Sequence, residues 1–145
     1  MWRHTKYYLR VLYCVFTANE TGCDNIFIKA PGEVFSPLYP NNYPSGSECR
    51  NVFIAPDDMI VRLEIQDFQL EDDNQGCVQD WDTLSIYDSD EEDPDKLIGI
   101  YCGSSIPGFF ESTGTRLYMV FKSDSSITRR GYHALFEFRD GKFCE

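Results

Sequence analysis

Residues 69–82, QLEDDNQGCVQDWD, carry side chains able to do chemistry in Glu71, Asp72, Asp73, Asp80 and Asp82; a further carboxylate, Asp124, stands far downstream in VFKSDSS. Carboxylates at this density serve three kinds of chemistry. Two across a cleft can work as the acid and base or nucleophile of glycoside hydrolysis, several around one point can hold a hard divalent cation, and scattered through a loop they only keep it solvated. The residues around them do not favour catalysis. The chain has two histidines, His4 near the N-terminus and His133, which alternates with apolar residues and is expected on the outer face of a strand. It has no HExxH, no GxSxG and no glycine loop that would cradle phosphate, and nothing beyond Glu71 and Asp82 suggests a sugar cleft, so a non-enzymatic protein is expected.

A second acidic cluster, Asp88-Ser-Asp90-Glu-Glu92, begins like an EF-hand loop. Position six is Asp93 instead of the glycine that makes the sharp turn, position seven is Pro94, and position twelve is Gly99 instead of a bidentate glutamate. A solvated hairpin turn is the better reading of Asp88 to Asp95.

These residues need a scaffold. At 145 residues the chain is long enough to bury one sizeable core. Its 24 acidic residues against 13 lysines and arginines give a net charge of −11, which argues against nucleic acid and favours cationic partners or divalent metals. Six cysteines, at 14, 23, 49, 77, 102 and 144, form no CxxC pair of the kind that zinc sites and redox motifs use. Disulfides in an oxidising compartment follow, so the protein is expected to be secreted, and the sequon Asn19-Glu20-Thr21 makes Asn19 a glycosylation candidate. Six cysteines permit fifteen pairings, and counting alone does not choose among them.

Residues 1–18 start basic, turn apolar and end on Thr17 and Ala18, the layout of a signal peptide, although Arg10 shortens the apolar run; residues 1–22 are therefore expected to be a signal and a short N-terminal segment. Cleavage would remove Cys14 and leave Cys144 without a partner in the chain, retention would let Cys14 and Cys144 join the two ends, and Cys144 could instead open a following module of a longer protein. No stretch approaches the roughly 20 apolar residues of a membrane span.

From Cys23 onward the pattern is short and alternating. Val61, Leu63 and Ile65 alternate with polar residues, Leu84 and Ile86 frame Ser85, and Leu117, Met119, Phe121 and then Tyr132, Ala134, Phe136 and Phe138 form two further faces. This period-two patterning predicts half-buried strands, and turn signals between them (Pro37 to Pro44, Ser45-Gly46, Pro56-Asp57-Asp58, Asn74-Gln75-Gly76, Pro107-Gly108, Thr113-Gly114) predict an all-β sandwich or barrel.

The landmarks occur in a definite order: Cys23; Gly32 with Phe35-Ser36-Pro37-Leu38-Tyr39-Pro40 and Tyr43-Pro44; Cys49; Phe68-Gln69-Leu70-Glu71; Cys77; Trp81-Asp82-Thr83-Leu84-Ser85-Ile86; Tyr101-Cys102-Gly103; Phe121-Lys122-Ser123-Asp124; Gly131-Tyr132. In this order and spacing the chain resembles a CUB domain, the extracellular module of complement and tolloid-type proteases, spermadhesins and receptor ectodomains. The resemblance runs from about Cys23 to Phe138, giving a domain over residues 23–139 and a tail or linker over 140–145. It implies a jelly-roll-like sandwich of two antiparallel sheets, with Cys23 paired to Cys49 and Cys77 paired to Cys102.

In calcium-binding members of that family the ion is held at positions that correspond here to Glu71, Asp82 and Asp124. The resemblance therefore implies Ca2+ as cofactor, Tyr43 as a hydrogen-bonding support, and backbone carbonyls near Ser126 and Ile127 completing the oxygen shell. Four residues separate Cys77 from Asp82 where the family usually has two, which leaves Asp80 as an alternative ligand. Asp82 is preferred because it immediately precedes the alternating strand Thr83 to Ile86. The function implied is a secreted, calcium-dependent protein-interaction module that takes a lysine or arginine of an extracellular partner at the calcium-ordered loops, within a larger multi-module protein. The alternative is a spermadhesin-like or structural module that binds carbohydrate or a neighbouring domain through another face, with calcium only stabilising.

Overall fold

The alternating segments become strands of two facing sheets in a computed structural model that describes residues 23–72, 76–77 and 81–141. Cys14, Asn19, Asp80 and Cys144 lie outside the described residues, as do residues 1–22 and 142–145. The strands are β1 (Asn25–Phe27), β2 (Gly32–Phe35), β3 (Glu48–Ile54), β4 (Met59–Gln69), β5 (Thr83–Tyr87), β6 (Leu97–Tyr101), β7 (Phe109–Glu111), β8 (Arg116–Lys122) and β9 (Gly131–Asp140). One sheet has the order β1-β3-β8-β5-β6 and the other β2-β9-β4-β7. Among the described residues the only helix is a single 3-10 turn, Pro94–Lys96, in the acidic hairpin between β5 and β6.

Alternation puts Val61, Leu63 and Ile65 of β4 into the core, opposite Leu117, Met119 and Phe121 of β8 and Leu84 and Ile86 of β5 from the other sheet. Aromatic rings carry the packing across the sandwich. Phe53 stacks on Phe27 at 5.1 Å and meets Phe136 at 4.9 Å, while Phe121 meets Tyr132 edge-on at 5.6 Å and Tyr43 edge-on at 4.9 Å. Tyr43 is therefore the outermost ring of a row that begins in the core and ends beside the acidic residues.

The pairings are antiparallel except one: β1 runs parallel to β3. The first disulfide lies at the head of this pair. Cys23 bonds Cys49, and the offset of 26 residues between them is the same as that of the neighbouring ladder pair Asn25 and Asn51, so the bond continues the register of the short strand against β3. Asn25 Nδ2 donates to Asn51 Oδ1 at 2.9 Å on the same line. The second disulfide joins Cys77 to Cys102, so both pairings implied by the resemblance are present.

Strand β4 does not alternate evenly to its end. Its register against β9 slips between Ile65 and Asp67, leaving Gln66 as an extra residue, a β-bulge. The inward face changes from odd to even positions, so Phe68 and Leu70 enter the core, 1 % and 2 % exposed, and Asp67 turns outward. The opposing chain makes room at Gly131, which has φ +89° and lies where an added Cβ would be 1.8 Å from Ser36 Oγ. That hydroxyl accepts the Tyr132 N–H at 2.9 Å, joining the start of β9 to the loop that follows β2.

The Cys77–Cys102 bond closes a loop of 25 residues, which on chain entropy stabilises the fold by on the order of 3 kcal/mol. The double variant Cys77→Ala/Cys102→Ala should lose about that much in urea denaturation; a loss below about 1 kcal/mol would show that the reduced chain is already constrained there.

Candidate metal centre

Three chain segments meet at one end of the sandwich. Glu71 stands two residues past the end of β4, Asp82 one residue before β5, and Asp124 two residues past β8. Strands β5 and β8 pair through Thr83 and Lys122, which brings the Asp82 and Asp124 segments together, whereas Glu71 arrives from the other sheet. One oxygen from each carboxylate falls within 4.8 Å of the other two. Glu71, Asp82 and Asp124 are thus brought together from positions up to 53 residues apart, 71 to 124, in the sequence.

Each residue is held from behind. Leu70 N–H donates to Gly103 O at 2.8 Å and Gly103 N–H donates to Glu71 O at 3.1 Å, a short ladder that fixes Glu71 against the chain just beyond Cys102. Gly103 has φ +74°, a conformation that favours glycine, and an added Cβ would meet the Asp72 carboxyl at 3.4 Å. Asp82 is fully buried and receives the Tyr43 hydroxyl on Oδ2 at 2.5 Å and the Asp124 N–H on Oδ1 at 2.7 Å. Asp124 Oδ1 takes both the N–H and the hydroxyl of Ser126 at 2.9 Å. Ser126 is therefore beside the cluster through its own donors, and Ile127, the next residue, is exposed.

The loop carrying Tyr43 is tied to the loop carrying Asp124 by a series of bonds. Tyr43 N–H donates to Arg129 O at 3.0 Å, Gly46 N–H to Asp124 O at 2.7 Å, and Ser123 Oγ to Pro44 O at 3.0 Å. Tyr43 itself is 1 % exposed, and burial together with its bond to Asp82 pushes its phenol far above the ordinary range, so it acts only as a donor.

Glu71 is the anomaly of the group. It is 2 % exposed, and neither Oε1 nor Oε2 has a hydrogen-bond partner among the described residues. Burial raises its pKa, and the charges of Asp124 and Asp82 raise it further. Asp82 is also raised by burial, opposed by the Tyr43 and Asp124 donors, whereas the Ser126 N–H lowers Asp124. Two like charges at 4.8 Å repel by about 3 kcal/mol at an effective dielectric of about 20. That repulsion would be relieved by a proton or a cation shared among the three. The donors are hard oxygens with no nitrogen or sulfur, the set that suits calcium and not zinc, so the residues present fit that ion.

The other acidic cluster has different geometry. Asp88 accepts the N–H of Thr113 at 2.9 Å and its hydroxyl at 2.7 Å, and Asp93 caps the 3-10 turn by accepting from Asp95 N–H at 3.0 Å. These carboxylates are used in building the turn. Two contributors to the candidate centre were not expected there: Gly103, a landmark beside Cys102 whose link to Glu71 spans 32 residues, 71 to 103, and Arg129, which offers only a carbonyl.

A family model described as the CUB domain matches residues 23–136. The chain belongs to the CUB family. It is 33 % identical over 122 residues to human cubilin, covering 84 % of this chain and 3 % of cubilin, and 36 % identical over 119 residues to neuropilin-1 of Xenopus laevis, covering 79 % and 12 %. It is also 36 % identical over 108 residues to the zinc metalloproteinase nas-39 of Caenorhabditis elegans, covering 74 % and 11 %. The chain thus spans a small part of the length of these relatives. Among solved structures, the CUB1-EGF-CUB2 domain of human MASP-1/3 superimposes with a TM-score of 0.71 at 28 % identity, covering 81 % of this chain and 42 % of that one. The MASP-1 CUB2 domain bound to Ca2+ superimposes with a TM-score of 0.67 at 27 % identity, covering 78 % and 96 %. CUB domains are extracellular protein-interaction modules without catalytic function of their own. No helix among the described residues of this CUB domain is long and apolar enough to cross a membrane.

The raised Glu71 pKa has a consequence in metal-free solution. The unfolded chain releases this proton near pH 4.3, the folded chain only at higher pH, so the contribution is fully present below the unfolded value and is lost as pH rises through the folded one. In EDTA, Glu71→Gln should therefore melt progressively higher than the wild type as pH is raised from about 4 to 7. A melting difference that does not grow with pH would mean that Glu71 has found a donor.

Proposed function

We propose that this CUB domain is a secreted, calcium-dependent protein-interaction module. Glu71, Asp82 and Asp124 are its ligands, the Tyr43 hydroxyl orients Asp82, and the main-chain carbonyls of Ser126 and Ile127 complete the oxygen shell. The observation that carries this reading is Glu71, a buried carboxylate with both oxygens unmatched, aimed at two further carboxylates. A bound calcium would supply the positive charge that the cluster lacks.

The residues do the rest. Asp82 and Asp124 belong to one sheet and Glu71 to the other, so holding the three together closes this end of the sandwich and orders the loops around residues 43 and 124–127. Asp124 is less buried than Glu71 and Asp82 and lies next to exposed Ser125, Ser126 and Ile127. Its outward oxygen is then placed to accept a lysine or arginine of an extracellular partner in a charge-assisted hydrogen bond. The net charge of −11 favours approach of such a group. The domain is taken as residues 23–139 of a larger multi-module protein, and it binds without catalysing.

Two titrations separate binding from mere stabilisation. Isothermal titration with calcium chloride should give one site in the wild type, at least about tenfold weaker in Asp124→Ala, and EDTA should lower the melting temperature of the wild type only. Amide NMR with N-acetyl-lysine methylamide as the cation probe should then shift Asp124 and Ser126 in calcium and not in EDTA. Calcium binding without those shifts leaves the ion structural and removes the cationic-partner reading; no calcium binding removes both.

A further inference from the structure

Asp67, on β4, bonds to the loop that follows Asp124 and to the loop that precedes Tyr43 without belonging to the metal centre. Its Oδ2 accepts Arg130 Nε at 2.7 Å and the Tyr39 hydroxyl at 2.6 Å, and its Oδ1 accepts Arg130 Nη2 at 2.6 Å and the Phe68 N–H at 3.0 Å. Arg130 Nη1 reaches on to Gln69 Oε1 at 3.0 Å. Asp67 lies four residues before Glu71 and Gln69 two before it; Tyr39 lies four residues before Tyr43; Arg130 lies six residues after Asp124 and directly follows Arg129, whose carbonyl holds the Tyr43 N–H. The bidentate guanidinium, with its fixed fork, joins the β4 exit to the loop behind Asp124, and the Tyr39 phenol joins both to the loop behind Tyr43. Arg130, chiefly, holds the Asp67 carboxyl well below the usual carboxylate range, so it is ionised wherever the protein is folded at neutral pH.

The bulge at Gln66 is what makes this possible. With even alternation beyond Ile65, position 67 would point into the core and Phe68 outward; the extra residue reverses this, placing Asp67 outside, Phe68 and Leu70 inside, and Glu71 at the end of the sandwich. The same irregularity therefore sets both the outer clamp and the position of the innermost carboxylate.

We infer that Asp67, Arg130 and Tyr39 form a positioning clamp that sets the calcium affinity of the centre by holding the segments of Glu71, Asp124 and Tyr43 in fixed relation. The inference rests on the calcium reading above and goes beyond it, because none of the three residues is a ligand. Preformed spacing matters here because three like charges must be kept close before the cation arrives.

The test is calcium affinity by isothermal titration, with melting in EDTA measured in parallel, for wild type, Asp67→Asn, Tyr39→Phe and Glu137→Gln. The last removes the pairs of Glu137 with Arg139, 3.2 Å, and with Arg62, 3.9 Å, toward the other end of β9, and serves as the control for loss of exposed ion pairs away from the metal centre. Asp67→Asn should weaken calcium binding about tenfold and Tyr39→Phe by a smaller factor, about threefold, while Glu137→Gln changes it less than twofold. A merely structural clamp would lower melting in EDTA and leave the affinity within twofold of the wild type, and that result overturns the inference. If Asp67→Asn does not fold, Tyr39→Phe decides on the same criterion, since it deletes one hydroxyl. Absence of calcium binding in the wild type itself would fail the calcium reading, an outcome distinct from equal binding by wild type and variants.

Discussion

A carboxylate taken out of water has to be met by a donor, a cation or a proton, and the Glu71 carboxylate is met by no donor among the described residues. Much of the surrounding structure follows from keeping it where it is. The peptide groups of residues 70 and 71 are fixed by Gly103, Asp82 is turned by Tyr43 and Asp124, and Asp124 is turned by Ser126. Gly103 holds the Glu71 main chain, the other donors serve Asp82 and Asp124, and among the described residues none reaches the Glu71 carboxylate. An arrangement that spends its donors in this way stores an electrostatic demand that a divalent ion fits.

The placement of that demand matters as much as its sign. The two sheets are joined through their shared core and aromatic row, and at the acidic end the last ring of the row, Tyr43, passes directly into a hydrogen bond with Asp82. Packing and metal geometry are thus continuous. A shift of Phe121 or Tyr132 would be felt at Asp82 through one phenol. The proposed ion would stand where the chain crosses from one sheet to the other, so its removal would loosen the loops at that end and leave the ladder of β4 and β9 intact.

The strands were readable because one face of each is buried, which imprints a two-residue period on the sequence at Val61 to Ile65, Leu84 to Ile86 and Leu117 to Phe121. The break in that period was also written, as the change from odd positions through Ile65 to even ones at Phe68 and Leu70, but alternation alone does not distinguish a bulge from a strand end. Parallel β1 was not readable. Three residues have too few positions to show a period, and the disulfide at its head is one that cysteine counting could not assign. Glu71, Asp82 and Asp124 were singled out only by resemblance, because a chain with 24 acidic residues offers many equal candidates until folding selects those that come together. The Asp67 clamp left no trace for the same reason: its partners stand 28 and 63 residues away, and none of their types is unusual in a loop.

The most direct measurement is a crystal structure of this CUB domain grown in calcium. One ion should sit among Glu71, Asp82 and Asp124, with an oxygen of each within about 2.3–2.6 Å, the range for calcium. An ion held by the hairpin carboxylates of residues 88–95 instead, or Glu71 paired to a protein donor with no ion beside it, would contradict the account.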